Sequence, residues 1–181
     1  MKTNLKHISK ILTVILISLS LTAFLSSCKK DSSNPADAGT GGNGGGGGGN
    51  NTVTLNGDGF SNTTITITYA AAGYESSTQT TGGSLTCSNG ISITFYSPGQ
   101  QTGTFNFSID QNDVKAGIIL YSGSGQDMKI YMVQNNSGSI TINNYGSVGQ
   151  QITGSFTGKI YNVTTQAEVT ISGSFSAIRG A

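Results

Sequence analysis

Histidine is nearly missing from this chain. His7 is its one instance in 181 residues, and tryptophan does not occur. His7 lies in a segment read below as a removed leader, so the mature chain has no imidazole. That excludes Ser-His-Asp and Cys-His catalysis. It also excludes His-ligated zinc, copper and non-haem iron. Any catalysis would rest on carboxylates, Lys, Tyr or Ser-Lys pairs. Charge is scarce too, at 9% of residues, against about 25% in ordinary globular domains. From Thr52 onward the cations are Lys115, Lys129, Lys159 and Arg179, and the acids are Asp58, Glu75, Asp110, Asp113, Asp127 and Glu168, a net charge of −2. Nucleic-acid binding needs a positive footprint, so no nucleic-acid partner is expected. There are two cysteines. If Cys28 is modified, Cys87 stands alone and no internal disulfide forms. No cation or base near Cys87 in sequence activates it, so it reads as a half-buried strand thiol. No cofactor is expected, and no catalytic residue is nominated.

Long apolar runs are also rare, and the one present is at the start. Lys2, Lys6 and Lys10 precede a mostly apolar stretch from Ile11 to Leu25, and Leu25-Ser26-Ser27-Cys28 closes it. Basic, then apolar, then small is the order of a secretory signal. A transmembrane helix is the rival, because Ile8 to Leu25 approaches spanning length. Small residues ending in Cys favour cleavage between Ser27 and Cys28. The segment resembles a bacterial lipoprotein signal with its lipobox. That resemblance implies that Cys28 becomes a first residue carrying diacylglycerol and an N-acyl chain, palmitate-type. Each buried methylene contributes about 0.8 kcal/mol, and more than one chain is needed for stable anchoring. Lys29-Lys30-Asp31 follows at once. It looks like the basic-then-acidic stretch behind the lipid Cys of Bacteroidota-type lipoproteins. The resemblance implies a lipid-anchored protein of the outer membrane or the cell surface. A solvated charge cluster is the plain alternative for those three residues.

Ser32 to Asn51 has no periodic apolar residue, and Gly44 to Gly49 is an unbroken glycine run. Such a tract cannot bury enough surface to offset its ordering entropy. As a flexible tether of roughly 20 residues it spans about 25 Å. A phosphate-binding loop fails, because no Gly-Lys-Ser/Thr follows it and no strand precedes it. The expected organisation is a signal over residues 1–27, the lipidated Cys and Gly-rich tether over 28–51, and one domain over 52–181.

Within that domain the period is two. Ile65, Ile67 and Tyr69 alternate with Thr64, Thr66 and Thr68. Phe105, Phe107 and Ile109 alternate with Thr104, Asn106 and Ser108. Ile140 and Ile142 alternate with Ser139 and Thr141. One apolar face and one hydroxyl face describe half-buried antiparallel strands. Asn89-Gly90 predicts a type I′ hairpin turn. Pro98-Gly99, Gly57-Asp58-Gly59, Gly123-Ser124-Gly125, Asn136-Ser137-Gly138 and Asn144-Tyr145-Gly146 predict further breaks. Val114 to Tyr121 and Met128 to Val133 read as central strands, with Ile118, Leu120, Ile130 and Met132 in the core. The fold class is all-β: a single antiparallel β-sandwich or flattened up-and-down β-barrel.

A short motif recurs as Thr102-Gly103-Thr104-Phe105, Thr153-Gly154-Ser155-Phe156 and Ser172-Gly173-Ser174-Phe175. The expected meaning is a strand in which Gly permits close approach and Phe enters the core two residues later. With Gly138-Ser139-Ile140-Thr141-Ile142, these segments look like those of uncharacterised Bacteroidota-type envelope lipoproteins. The resemblance spans roughly residues 91–181 and implies an envelope β-domain.

Candidate sites are few. Asp110, Asn112 and Asp113 form an oxygen-rich turn that could help to hold Ca²⁺, although Val114 breaks the EF-hand order. An ordinary acidic turn is the plain reading. Asp58, Glu75, Asp127 and Glu168 are available for a glycosidase, which needs two facing carboxylates. Tyr96, Tyr121, Tyr131, Tyr145 and Tyr161 offer stacking surfaces for sugars, with Tyr131 and Tyr161 expected to face outward; rim aromatics are the plain reading. A membrane-embedded barrel is disfavoured, because one face of each strand is Thr, Ser and Asn. The sequence therefore points to a non-catalytic binding or surface-assembly module. Its partners would be the membrane through the lipid, and a glycan, a small apolar ligand or an envelope protein. A carboxylate-dependent hydrolase of glycans or other envelope polymers is the alternative.

Overall fold

The computed structural model describes residues 51–181, except residues 111 and 112 and the side chains of residues 110–114. Ten strands make up this region: β1 (Thr52–Gly57), β2 (Phe60–Glu75), β3 (Thr80–Cys87), β4 (Ser92–Pro98), β5 (Gly103–Asn106), β6 (Ser108–Asp110), β7 (Asp113–Ser122), β8 (Lys129–Tyr145), β9 (Gln151–Asn162) and β10 (Glu168–Arg179). A single turn of 3-10 helix at Gly125–Asp127 joins β7 to β8.

The sheet closes on itself. Its order runs β8-β9-β10-β1-β2-β3-β4-β7, and β7 then pairs with β8 to complete an eight-stranded antiparallel barrel. The sequence left sandwich and barrel open; closure decides for the barrel and removes most free edges. β7 and β8 pair directly at Ile119↔Met132 to Ser122↔Lys129 and then part. The chain between them fills the gap: β5 pairs with the second half of β8, and β6 with the start of β7. Phe107 bridges the two pieces, donating its N–H to Gly138 O and accepting from Asn136 N, each at 2.8 Å.

A second irregularity lies where the domain begins. β1 is short, so beyond Thr52 its neighbours meet in parallel, Ile178 beside Ala71 and Arg179 beside Ala72. Ile67 N–H donates to Asn51 O at 2.8 Å. Asn51 thus sits in the flank of the barrel, at the fork between β2 and β10.

The interior is filled. Leu55, Leu85, Ile93, Ile118, Leu120, Ile140, Ile152, Ile160 and Ile171 are fully buried and belong to one continuous apolar cluster. The recurrent Gly-Phe motif explains how large rings fit inside so small a barrel. Phe156 lies opposite Gly173, and Phe175 opposite Gly154. Phe95 lies opposite Gly83. A Cβ on Gly173 would come within 2.8 Å of the Phe156 ring, and one on Gly154 within 2.7 Å of the Phe175 ring. Each ring therefore occupies the space of the side chain that its cross-strand partner lacks. Phe95 and Phe175 then meet with centroids 4.4 Å apart, and Phe156 stacks at 6.3 Å from Phe175. Small and large residues alternate to suit the taper of a narrow barrel. The close approach expected of the motif is present in its second and third copies; in the first, Phe105 is half-buried and lies opposite Ile140, so it does not enter the core.

Three local readings are corrected. Ile130 and Met132 are half-buried and lie outside the core cluster, whereas Tyr131 is fully buried. Both faces of this strand are apolar, so alternation alone left its orientation undetermined. At Asn89-Gly90 only Gly90 has positive φ, at 79°. Gly90 N–H donates to Cys87 O at 3.3 Å, giving a type I turn followed by a left-handed glycine. Finally, Asn136-Ser137-Gly138 does not end a strand. β8 continues through it as a wide bulge: Val133 pairs with Ile160 and Gly138 with Gly158, so residues 134–137 face Lys159 alone.

Candidate functional site

The bulge builds the site. Four residues opposite one must arch away from the ladder, and Asn136 takes a left-handed φ of 61° to do so. The arch is fixed from three directions. Ser137 Oγ accepts from Gln134 N at 3.0 Å and donates to Lys159 O at 2.9 Å. Asn135 Oδ1 accepts from Ile109 N at 2.6 Å. Asn136 N–H is held by Phe107 O. Between this arch and the outward side chains of β9 and β10 lies an open groove of about 550 Å³, with Gln134, Asn135, Asn136, Thr157, Lys159 and Tyr161 on its walls. Side-chain amides both donate and accept hydrogen bonds, so this wall offers both functions in a small area. Lys159 Nζ meets Glu168 Oε1 at 2.9 Å. The hydrogen bond and then the charge of Glu168 hold the ammonium above its ordinary pKa. The groove therefore carries an ion pair in place of a free charge.

Two further polar clusters cap the ends of the barrel. At one end the β1–β2 turn carries Asp58 at φ 43°. Tyr131 Oη donates to Asp58 Oδ2 at 2.7 Å, Asn162 Nδ2 donates at 3.4 Å, and Lys129 Nζ lies 3.8 Å away. The Tyr131 hydroxyl, ahead of the Lys129 charge, holds the Asp58 carboxyl below its ordinary value despite partial desolvation. Burial and the carboxylate push the Tyr131 phenol up to about 12. At the other end Tyr145 Oη meets Thr81 Oγ1 at 2.7 Å, and Thr81 Oγ1 donates to Gly99 O at 2.5 Å. The Arg179 guanidinium stands 4.8 Å above the Tyr145 ring centroid. It donates to Gly146 O at 2.9 Å and to Gln100 Oε1. Ser97 Oγ and Arg179 Nε are buried there without a hydrogen-bond partner.

The residues nominated from sequence fall as follows. Ser27 and Cys28 lie outside the described residues. Asp110 and Asp113 pair across the tip of the β6–β7 hairpin; their side chains, and Asn112 entirely, lie outside the described residues. Among the described residues no three of His, Cys, Asp or Glu gather as a metal site. Cys87 is buried and free, its thiol pushed up by burial. Tyr161 reaches the groove, whereas Tyr131 and Tyr145 serve the two ends. A carboxylate hydrolase needs an acid held protonated by its surroundings. Asp58 and Glu75 are shifted the opposite way, Glu75 by hydrogen bonds from Ser77. The barrel interior is lined by one continuous apolar cluster. The amide-rich arch was missed because Asn136-Ser137-Gly138 reads as a turn; the run Gln134-Asn135-Asn136-Ser137 directly after an apolar strand was its trace in the sequence.

No known protein family, curated protein or solved structure matches this chain.

Proposed function

We propose that the chain is an outer-membrane lipoprotein, exported by residues 1–27 and held by acyl chains on Cys28, whose barrel serves as a non-catalytic binding module. Its ligand lies on the outer wall, against the arch of β8. One observation carries the binding role: the arch of β8, fixed by hydrogen bonds, sets a concavity lined by side-chain amides on the outer wall. Hydroxyl-rich faces on β9 and β10 fit a domain carried in water on a tether. Anchoring would need no contact from the barrel, since more than one acyl chain suffices for stable attachment.

The test of the anchor is metabolic labelling with a fatty acid in cells making the full chain. Wild type should take up label and fractionate with membranes, and Cys28→Ala should take up none. Absence of label from the wild type, or label retained by Cys28→Ala, would overturn the lipoprotein reading.

A further inference from the structure

The outer wall has two characters. Around β10, β1 and β2 its outward positions are mainly Ser and Thr, as at Thr170, Ser172, Thr54, Thr64 and Thr66, with Tyr69 and Ile178 as exposed apolar exceptions. Around β4, β7, β8 and β9 it carries Tyr96, Ile119, Tyr121, Ile130, Met132 and Tyr161, none of which belongs to the core cluster. Ile119 points out of the barrel yet is only 3% exposed, and Thr94 beside it 9%, so neighbouring side chains of the wall cover both. The register shows which ones are near. Thr94, Ile119, Met132 and Tyr161 stand side by side across four strands. Tyr121 and Ile130 form the adjoining row. Burial, and then proximity to Tyr121, pushes the Tyr96 phenol up to about 12, consistent with rings laid against the wall. At Tyr161 this apolar strip runs directly into the amide groove.

The chemistry of the strip selects its occupant. A polyanion would find Lys159 already neutralised by Glu168. A protein hot spot would need a deep apolar pocket, and this surface is shallow. A pyranose chain matches both parts: C–H faces lie on rings and aliphatic side chains, and hydroxyl edges meet groups that donate and accept. Neighbouring strands are about 4.8 Å apart, close to the length of one sugar unit, so the row from Thr94 to Tyr161 spans about 14 Å. We propose that the strip and the groove together bind a neutral carbohydrate chain of about three units, laid across the strands from β4 to β9. This rests on the binding role proposed above and narrows it.

The chain has no tryptophan, and three of its seven tyrosines lie on the strip, so the part of the tyrosine emission change that is lost in Tyr121→Ala and Tyr161→Ala reports the wall. Full-length lipidated protein in detergent micelles is titrated with maltohexaose, cellohexaose and chitohexaose, and with polygalacturonate as the charged control. At least one neutral hexasaccharide should give a saturable change, and its disaccharide should bind far more weakly. Tyr121→Ala and Tyr161→Ala should each weaken binding about fivefold or more, the loss expected of an anchoring aromatic. Thr64→Ala on the hydroxyl side should leave it unchanged. Circular dichroism checks that each variant is folded. Failure of all three neutral sugars, equal binding of polygalacturonate, or indifference to both tyrosine changes would overturn the proposal. A photo-crosslinker at Thr157 in cells separates this failure from that of the parent reading. Capture of an envelope protein without sugar binding would leave the groove as a binding site and reject the carbohydrate; no capture and no sugar binding would reject both.

Discussion

The two ends of the barrel are closed by the same group, a tyrosine hydroxyl, set in opposite electrostatic surroundings. At the Asp58 end the phenol donates to a carboxylate carried on a tight turn, and the partners lie on β8 and β9. At the Arg179 end the phenol bonds a threonine, and a cation covers the ring. That cation gathers pieces distant in sequence: the last residues of β10, the β8–β9 loop and the β4–β5 loop. The first closure is a compact charged hydrogen bond with its polar groups served. The second holds more chain and leaves Ser97 Oγ and Arg179 Nε unserved. A charged pair can secure one point well, whereas a guanidinium with several donors can fasten several loops at the cost of unmet bonds.

Substitutions can break this contrast. Tyr131→Phe should have the largest effect, a loss of about 2 kcal/mol in urea denaturation, because a hydrogen bond to a charged group disappears from a partly buried site. It should also change the pH profile. The Asp58 pKa is lowered on folding, so its contribution is present above about pH 4 and is lost as pH falls through the folded value. The Tyr131 pKa is raised from 10.0 to about 12, so its contribution is full below pH 10 and fades as pH climbs toward 12. In the difference between wild type and Tyr131→Phe both limbs should appear, and a flat difference would refute the assignment. Arg179→Ala should cost less, about 1.5 kcal/mol, because loss of the cation–π contact and of two charge-assisted hydrogen bonds is offset in part by release of the buried, unserved Nε. Its clearer signature is faster amide exchange in residues 99–102 and 146–150, with both pH limbs retained, since Asp58 and Tyr131 lie at the other end of the barrel. Ser97→Ala is the smallest change and has the opposite sign. Removing an unserved buried hydroxyl should raise stability by a few tenths of a kcal/mol; a loss above about 1 kcal/mol would show that Ser97 Oγ has a partner after all.

The difference between the ends also marks what the sequence could reveal. Strands with one apolar and one hydroxyl face, such as those holding Ile65 and Ile67 or Ile140 and Ile142, were legible because one face alone could be buried. The Gly-Phe pairs were legible as a motif, although the cross-strand partner of each glycine was not. β8 misled at Ile130 and Met132 because both its faces are apolar, and the deciding contact comes from Asp58, 73 residues away. The groove was hidden for a similar reason. Its arch is set by Phe107 and Ile109 from one segment and Lys159 from another, and no local pattern encodes that convergence. Tyr161 was read correctly as outward, since its neighbours Ile160 and Asn162 both turn inward.

The rings and glycines inside the barrel have a consequence for its history. Where Phe175 fills the space above Gly154 and Phe156 that above Gly173, neither partner can drift alone. A methyl gained on one strand collides with a benzyl on the next, and a benzyl lost leaves a hole that glycine cannot fill. Descent with change must therefore proceed by linked exchanges. Distant kin of this barrel should carry bulk swapped between adjacent strands, with the sum of the pair kept while its members trade places.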